Sequence, residues 1–79
     1  MHFLIKTNFR NAKLMEVNLY GEFLMGADFE EANLYKANLR NCTGLTMEQL
    51  SKARTLYLTK FDPDLEERVQ GLIPELVGK

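Results

Sequence analysis

Apolar residues recur along the first half of the chain with a period that belongs neither to a helix nor to an alternating strand. Taking every fifth residue from Leu4 gives Leu4, Phe9, Leu14, Leu19, Leu24, Phe29, Leu34 and Leu39. Counted against a fixed phase, such a run of Leu or Phe has a chance probability on the order of 10⁻⁵. Two places before these positions stand Ala12, Val17, Ala27, Ala32, Ala37 and Cys42, and between the two come Asn8, Asn18, Asp28, Asn33 and Asn38. Helix faces repeat about every 3.6 residues and strand faces about every 2. A period of five instead fits a chain that puts two side chains inward, two places apart, and then turns a corner. Asn and Asp tolerate the tight backbone of such corners. The pattern predicts a core of Phe9, Leu14, Leu19, Phe29, Leu34 and Leu39 with Ala12, Ala27, Ala32 and Ala37 beside them. It also predicts that Asn18, Asn33 and Asn38 sit at corners with their side chains outside.

Segments such as Ala27-Asp28-Phe29-Glu30-Glu31, Ala32-Asn33-Leu34-Tyr35-Lys36 and Ala37-Asn38-Leu39-Arg40-Asn41 resemble the pentapeptide-repeat family. The resemblance spans residues 2–44 and implies a right-handed quadrilateral β-helix with four pentapeptides to a coil, here about two coils. Residues twenty apart are then expected to stack, and the sequence supplies matching pairs. Phe9 falls over Phe29, Asn18 over Asn38, Phe3 over Phe23, and Ile5 over Met25. On the outside, Arg10 is expected to meet Glu30 and Glu16 to meet Lys36, both opposite-charge rungs of a cross-strand ladder.

The repeat fails at Gly44, where a central Leu is due, and helix signals follow. Thr46 and Gln49 have capping-box spacing, with Leu45 and Leu50 placed as a hydrophobic staple. Asp62-Pro63 marks a second start, a capping residue followed by Pro at the first helical position. Acidic Asp64, Glu66 and Glu67 suit the positive end of that helix, and Leu65, Val69, Leu72 and Ile73 share one face at helical spacing. Gly71 and Pro74 weaken or end it. Between the helices, Thr55-Leu56-Tyr57-Leu58-Thr59 has β-like composition and is expected to be extended. The predicted organisation is a single domain over residues 1–79, an all-β solenoid over 2–44 with an α-helical cap over 45–79. A solenoid needs such a closure because its last coil leaves unpaired backbone and apolar side chains.

Composition narrows the function classes. The 79 residues carry a formal net charge of −1, with 46% hydrophobic and 27% charged residues, as in a folded globular domain. Residues 1–44 balance Lys6, Arg10, Lys13, Lys36 and Arg40 against Glu16, Glu22, Asp28, Glu30 and Glu31, so no excess charge favours nucleic acid or an anionic membrane. The acidic polar face of the tail further disfavours a membrane. A single cysteine, Cys42, excludes an internal disulfide and fits a reducing compartment. The start is too short and too soon interrupted for a signal peptide, so the expected location is cytoplasmic. His2 and Cys42, forty residues apart, lack zinc-site spacing, and there is no glycine-rich phosphate loop. The expectation is therefore a protein that is not an enzyme, with no catalytic residues, no metal and no cofactor.

Glu22 breaks the pattern, because a carboxylate stands where other repeats have a small apolar residue, and a buried unpaired carboxylate is costly. On that side of the square, either Leu4 and Leu24 point inward and leave Phe3, Ile5, Phe23 and Met25 outside, or the register slips by one. Both versions put surplus apolar area there, and exposed apolar patches mark interfaces. Phe3, Leu4, Ile5, Phe23 and Met25 are thus the candidate interface, covered by the chain's own tail or by a partner.

The function read from these features is a non-catalytic protein-interaction or scaffold module acting through its solenoid faces and open N-terminal end, with an unidentified protein partner. The alternative is DNA mimicry, since some members of the resembled family inhibit type II topoisomerases by imitating duplex DNA. Two coils at ~4.8 Å each make a rod only ~10 Å tall. DNA carries one charge per ~1.7 Å of axis, so a mimic needs roughly six negative charges in that height, where this repeat region nets zero. A homodimer is also expected. The first coil begins at Met1 with the edge strand Phe3-Leu4-Ile5, which lacks the charge or Pro that discourages pairing. Two-fold closure is the commonest solution, end to end through the N-terminal coil or side by side through Phe3 and Phe23.

Overall fold

In the computed structural model, which describes residues 3–78, the backbone turns a corner after every central Leu or Phe. Lys6, Asn11, Glu16, Glu31, Lys36, Asn41 and Leu58 adopt φ of 58–62°, and Gly21 and Gly26 adopt φ of 75° and 70°. Each stands two places after a central apolar residue. Of the non-glycine residues here, Asn is the type that enters this left-handed region readily. The others are held there because the amide at the corner is locked to the next coil, as in Lys6 N–H to Met25 O (2.8 Å) and Glu16 N–H to Tyr35 O (2.8 Å).

Between corners each side contributes one rung. Parallel bridges join Phe3 to Phe23, Asn8 to Asp28, Lys13 to Asn33, Asn18 to Asn38, and Phe23 to Thr43. The register of twenty is therefore that of a solenoid. Among the described residues there is no extended strand, and the ladder is made of isolated bridges. The Asn and Asp residues stand on these rungs and not at the corners, which corrects the expectation for Asn18, Asn33 and Asn38. Their side chains steer the chain into the corner that follows. Oδ1 of Asn8, Asn18, Asp28, Asn33 and Asn38 each accepts the amide two residues on, at 2.9–3.0 Å.

The ladder does not stop at residue 44. Thr55 bridges Asn33 and Lys60 bridges Asn38, at a register of twenty-two. Helix α1 (Met47–Ser51) takes up the two additional residues on the side above Asp28. It begins with the expected capping box between Thr46 and Gln49. Gln49 also replaces the missing rung, its Nε2 donating to Leu24 O (2.8 Å) and Ala27 O (3.0 Å). The predicted boundary between solenoid and cap is thus corrected. Residues 53–61 form rungs over the second coil, with Leu56 and Phe61 buried as new central residues. Thr59 takes the small inward position above Ala37, and its hydroxyl donates to Leu34 O at 2.6 Å, so no buried polar group is left unmet there.

Helices α2 (Pro63–Leu72) and α3 (Pro74–Val77) follow. The break at Ile73 (φ −135°, ψ 57°) precedes Pro74, which disfavours helical backbone in the residue before it. Val69 is buried, and Leu65, Ile73, Leu76 and Val77 pack against the core. Leu56 N–H, which faces away from the second coil, donates to Leu76 O at 2.8 Å. Two local expectations fail here. Leu72 is exposed, because the helix ends beside it and turns away from the core. Asp62 makes no side-chain cap, its carboxylate instead accepting Asn41 N–H at 3.1 Å.

The core follows the five-residue pattern with one gradient. Phe29, Leu34, Leu39, Leu19, Ala27, Ala32 and Ala37 are buried, whereas Phe9, Leu14 and Ala12 are only half-buried. The latter three lie in the first coil, with no described coil beyond them.

Candidate protein-interaction surface

On the side occupied by residues 3–7 and 23–27, the chain keeps the regular register. Leu24 is fully buried and Leu4 packs against the core, so Phe3, Ile5, Phe23 and Met25 are the outward residues. Phe3 and Phe23 meet edge to face as a rung, with ring centroids 4.8 Å apart and planes at 62°. Phe23 and Met25 are half-buried. Above Met25 lies Gly44 (φ 86°), where any Cβ would collide with the Met25 side chain. Position 44 in this conformation therefore accepts only a residue without a Cβ. Glu22, at the inward slot, is half-buried. The C-terminal segment does not cover Phe3, so of the two covers expected for this side the chain's own tail is ruled out. His2 lies outside the described residues.

The first coil exposes more than the candidate residues. Met15 and Tyr20 stand at its other corners with Ile5, one place after Leu14, Leu19 and Leu4, and are exposed as well. The five-residue phase identifies these corner positions, but sequence reasoning followed the inward slots and passed over them. Tyr20 is held in place by Asn41, whose Nδ2 donates to the phenol oxygen at 2.6 Å.

Charged and aromatic rungs stiffen the neighbouring corners. Arg10 meets both Glu30 (3.3 Å) and Asp28 (3.7 Å), as expected for the first of these. Phe9 and Phe29 stack with centroids 5.1 Å apart and planes nearly parallel. The expected rung between Glu16 and Lys36 does not form. Lys36 Nζ lies 5.4 Å from the centroid of the Tyr35 ring, a cation–π position, and Tyr35 stacks on Tyr57 at 5.8 Å. Cys42 fills its small inward slot with its thiol donating to Leu19 O at 3.0 Å. Burial raises its pKa above the ordinary thiol value, which suits packing and not reactivity. Among the described residues no group of three or more His, Cys, Asp or Glu is placed to hold a metal ion. No helix among them is long and apolar enough to cross a membrane.

Residues 3–29 match the family model described as pentapeptide repeats (8 copies). Over those residues the chain is similar to the pentapeptide-repeat family. No curated protein and no solved structure matches the chain. Pentapeptide-repeat proteins are generally non-catalytic structural or interaction modules built as β-helical solenoids. In this chain the outward corners vary while the inward slots repeat.

Proposed function

We propose that this protein is a non-catalytic interaction module whose contacts are made by its first coil. One observation carries the reading: large apolar side chains are exposed mainly there. Phe3 is 68% exposed, Tyr20 53%, and Ile5 and Met15 43% each. All four lie within residues 3–22, and they sit beside half-buried Leu4, Phe9 and Leu14. Apolar exposure concentrated on one coil, around its half-buried end, is what singles that coil out as the contact site. The second and third layers of rungs serve as the rigid support, and α2 and α3 as the closure of the opposite end. Cytoplasmic residence belongs to the same reading and is supported by the free thiol of Cys42.

The test is affinity capture from an extract of the native cell with the wild-type chain and a Phe3→Ser, Tyr20→Ser variant. Both substituted side chains are mostly exposed, so the variant keeps its fold. Bound protein is expected to fall about tenfold, the effect of losing about 1.4 kcal/mol of contact energy. Equal recovery with both chains removes the first coil as the contact.

A further inference from the structure

The end of the first coil is built to receive backbone as well as side chains. In the second coil, Asp28, Asn33 and Asn38 direct both N–H and C=O to the coil before them. Asn33 N–H donates to Ala12 O and Asn33 O accepts Leu14 N–H; Asp28 does the same with Thr7 and Phe9, and Asn38 with Val17 and Leu19. Asn8, Lys13 and Asn18 are the equivalent residues twenty places earlier. Among the described residues their N–H and C=O groups have no hydrogen-bond partner. Three sides of the coil therefore end in a donor and an acceptor on one residue, aimed away from the second coil. Inside this frame lie Leu4, Phe9, Leu14 and Val17, all half-buried, whereas Leu24, Phe29, Leu34 and Ala37 twenty residues on are buried.

Resting on the reading that the first coil makes the contacts, we propose that its occupant is a second copy of this chain, docked head to head. A two-fold axis perpendicular to the solenoid axis sets the two edges antiparallel. In an antiparallel pair, facing residues whose N–H and C=O both point across the gap exchange two hydrogen bonds. Asn8 and Asn18 each present that arrangement to their own counterpart, and Lys13 presents it to the fourth side, that of Phe3. Both edges also climb with the same slope, since the two-fold preserves the hand of the coil, and the gap stays even around the ring. Of the charged residues of the first coil, Arg10 is already paired with Glu30 and Asp28 of the second, which leaves Lys6, Lys13 and Glu16. With the axis through the sides of Asn8 and Asn18, Lys13 comes opposite Phe3 of the second copy. An axis through the other two sides would oppose the two Lys13 side chains, which is unfavourable. The apolar residues of the two frames then join into one core, and α2 and α3 close both outer ends.

Light scattering after size exclusion at tens of micromolar is expected to give twice the 9.1 kDa chain mass. Under the same conditions the amides of Asn8, Lys13 and Asn18 are expected to gain at least about tenfold protection from hydrogen exchange over the dilute chain. A 9.1 kDa species at that concentration overturns the proposal, as does a dimer in which these three amides exchange at unprotected rates. Lys13→Pro removes an N–H that has no partner within the chain and is expected to yield a folded monomer; a folded Lys13→Pro dimer also overturns it. Should that variant not fold, amide exchange in the wild-type chain decides alone. Loss of the self-contact with capture of other proteins intact sinks this proposal and leaves the broader reading standing.

Discussion

The first and second coils carry the same repeat and differ in what lies beyond them. Phe9 and Phe29 are the same residue type in the same slot, stacked ring on ring, yet one is half-buried and the other fully buried. Leu14 and Leu34 repeat the contrast, as do Ala12 and Ala32. A pentapeptide slot thus sets the direction of a side chain, while burial is conferred by neighbours on both sides of the coil. The second coil has them: first-coil rungs on one side, and α1 with the Thr55 and Lys60 rungs on the other.

The widest gap between the coils should appear in paired truncations. Leu34→Ala is expected to cost about 2–5 kcal/mol in urea melts, the usual range for a fully buried leucine. Leu14→Ala in the dilute chain should cost only about 1–2 kcal/mol, because much of its surface is already in water. Equal costs at high dilution would break the comparison. A Leu14 cost that rises toward that of Leu34 with protein concentration would sharpen it, since the proposed head-to-head docking would bury the first coil.

Glycines at the two ends of the second coil give the next contrast. Gly44→Ala forces a methyl group into Met25 at φ 86°, and overpacking added to left-handed strain should cost about 2–4 kcal/mol. Gly21→Ala at φ 75° meets nothing within 4 Å, so about 1 kcal/mol of conformational cost is all that is expected. Thermal melts of the two variants check the difference, and a Gly21→Ala loss as large as that of Gly44→Ala would show that the corner, not the contact, dominates.

The smallest effect belongs to the charged rung that spans the coils. Arg10 reaches Glu30 and Asp28 with all three side chains substantially exposed. Arg10→Ala should therefore change stability by less than about 1 kcal/mol, and the change should vanish in high salt. A larger, salt-insensitive loss would mean that Arg10 contributes through packing of its stem.

How far the structure could be read in advance varies by residue. The five-residue phase was legible because most corners are made locally, from a rung residue whose Oδ1 accepts the amide two places on and the left-handed residue that follows. The rungs beyond residue 44 were not legible, although Leu56 and Phe61 are again five apart with Thr59 two places before Phe61. Two central residues are too few to define a period, and the turn of helix α1 shifts their phase relative to Leu39. The candidate interface was legible in part. Phe3 and Ile5 are exposed, as in one of the two registers the pattern left open, whereas Met15 and Tyr20 needed the corner geometry to be seen as outward.

By itself, then, the order of residues determined the five-residue phase, the inward direction of Phe9, Leu14, Leu19, Phe29, Leu34 and Leu39, and the capping box at Thr46. These depend on contacts within a few residues, or on repeats that specify the same local turn again and again. The twenty-residue register came with the family resemblance, and the direction of Leu4 and Leu24 was left open. Tertiary structure alone decided that the ladder resumes at Thr55, that Lys36 lies over Tyr35 and not beside Glu16, and that Asp62 serves Asn41 and not its own helix. It also decided which copies of an identical slot become core. Each of those outcomes is a choice among partners brought together only when one coil is laid on the next, and a five-residue pattern says which way a side chain points but not what it will meet.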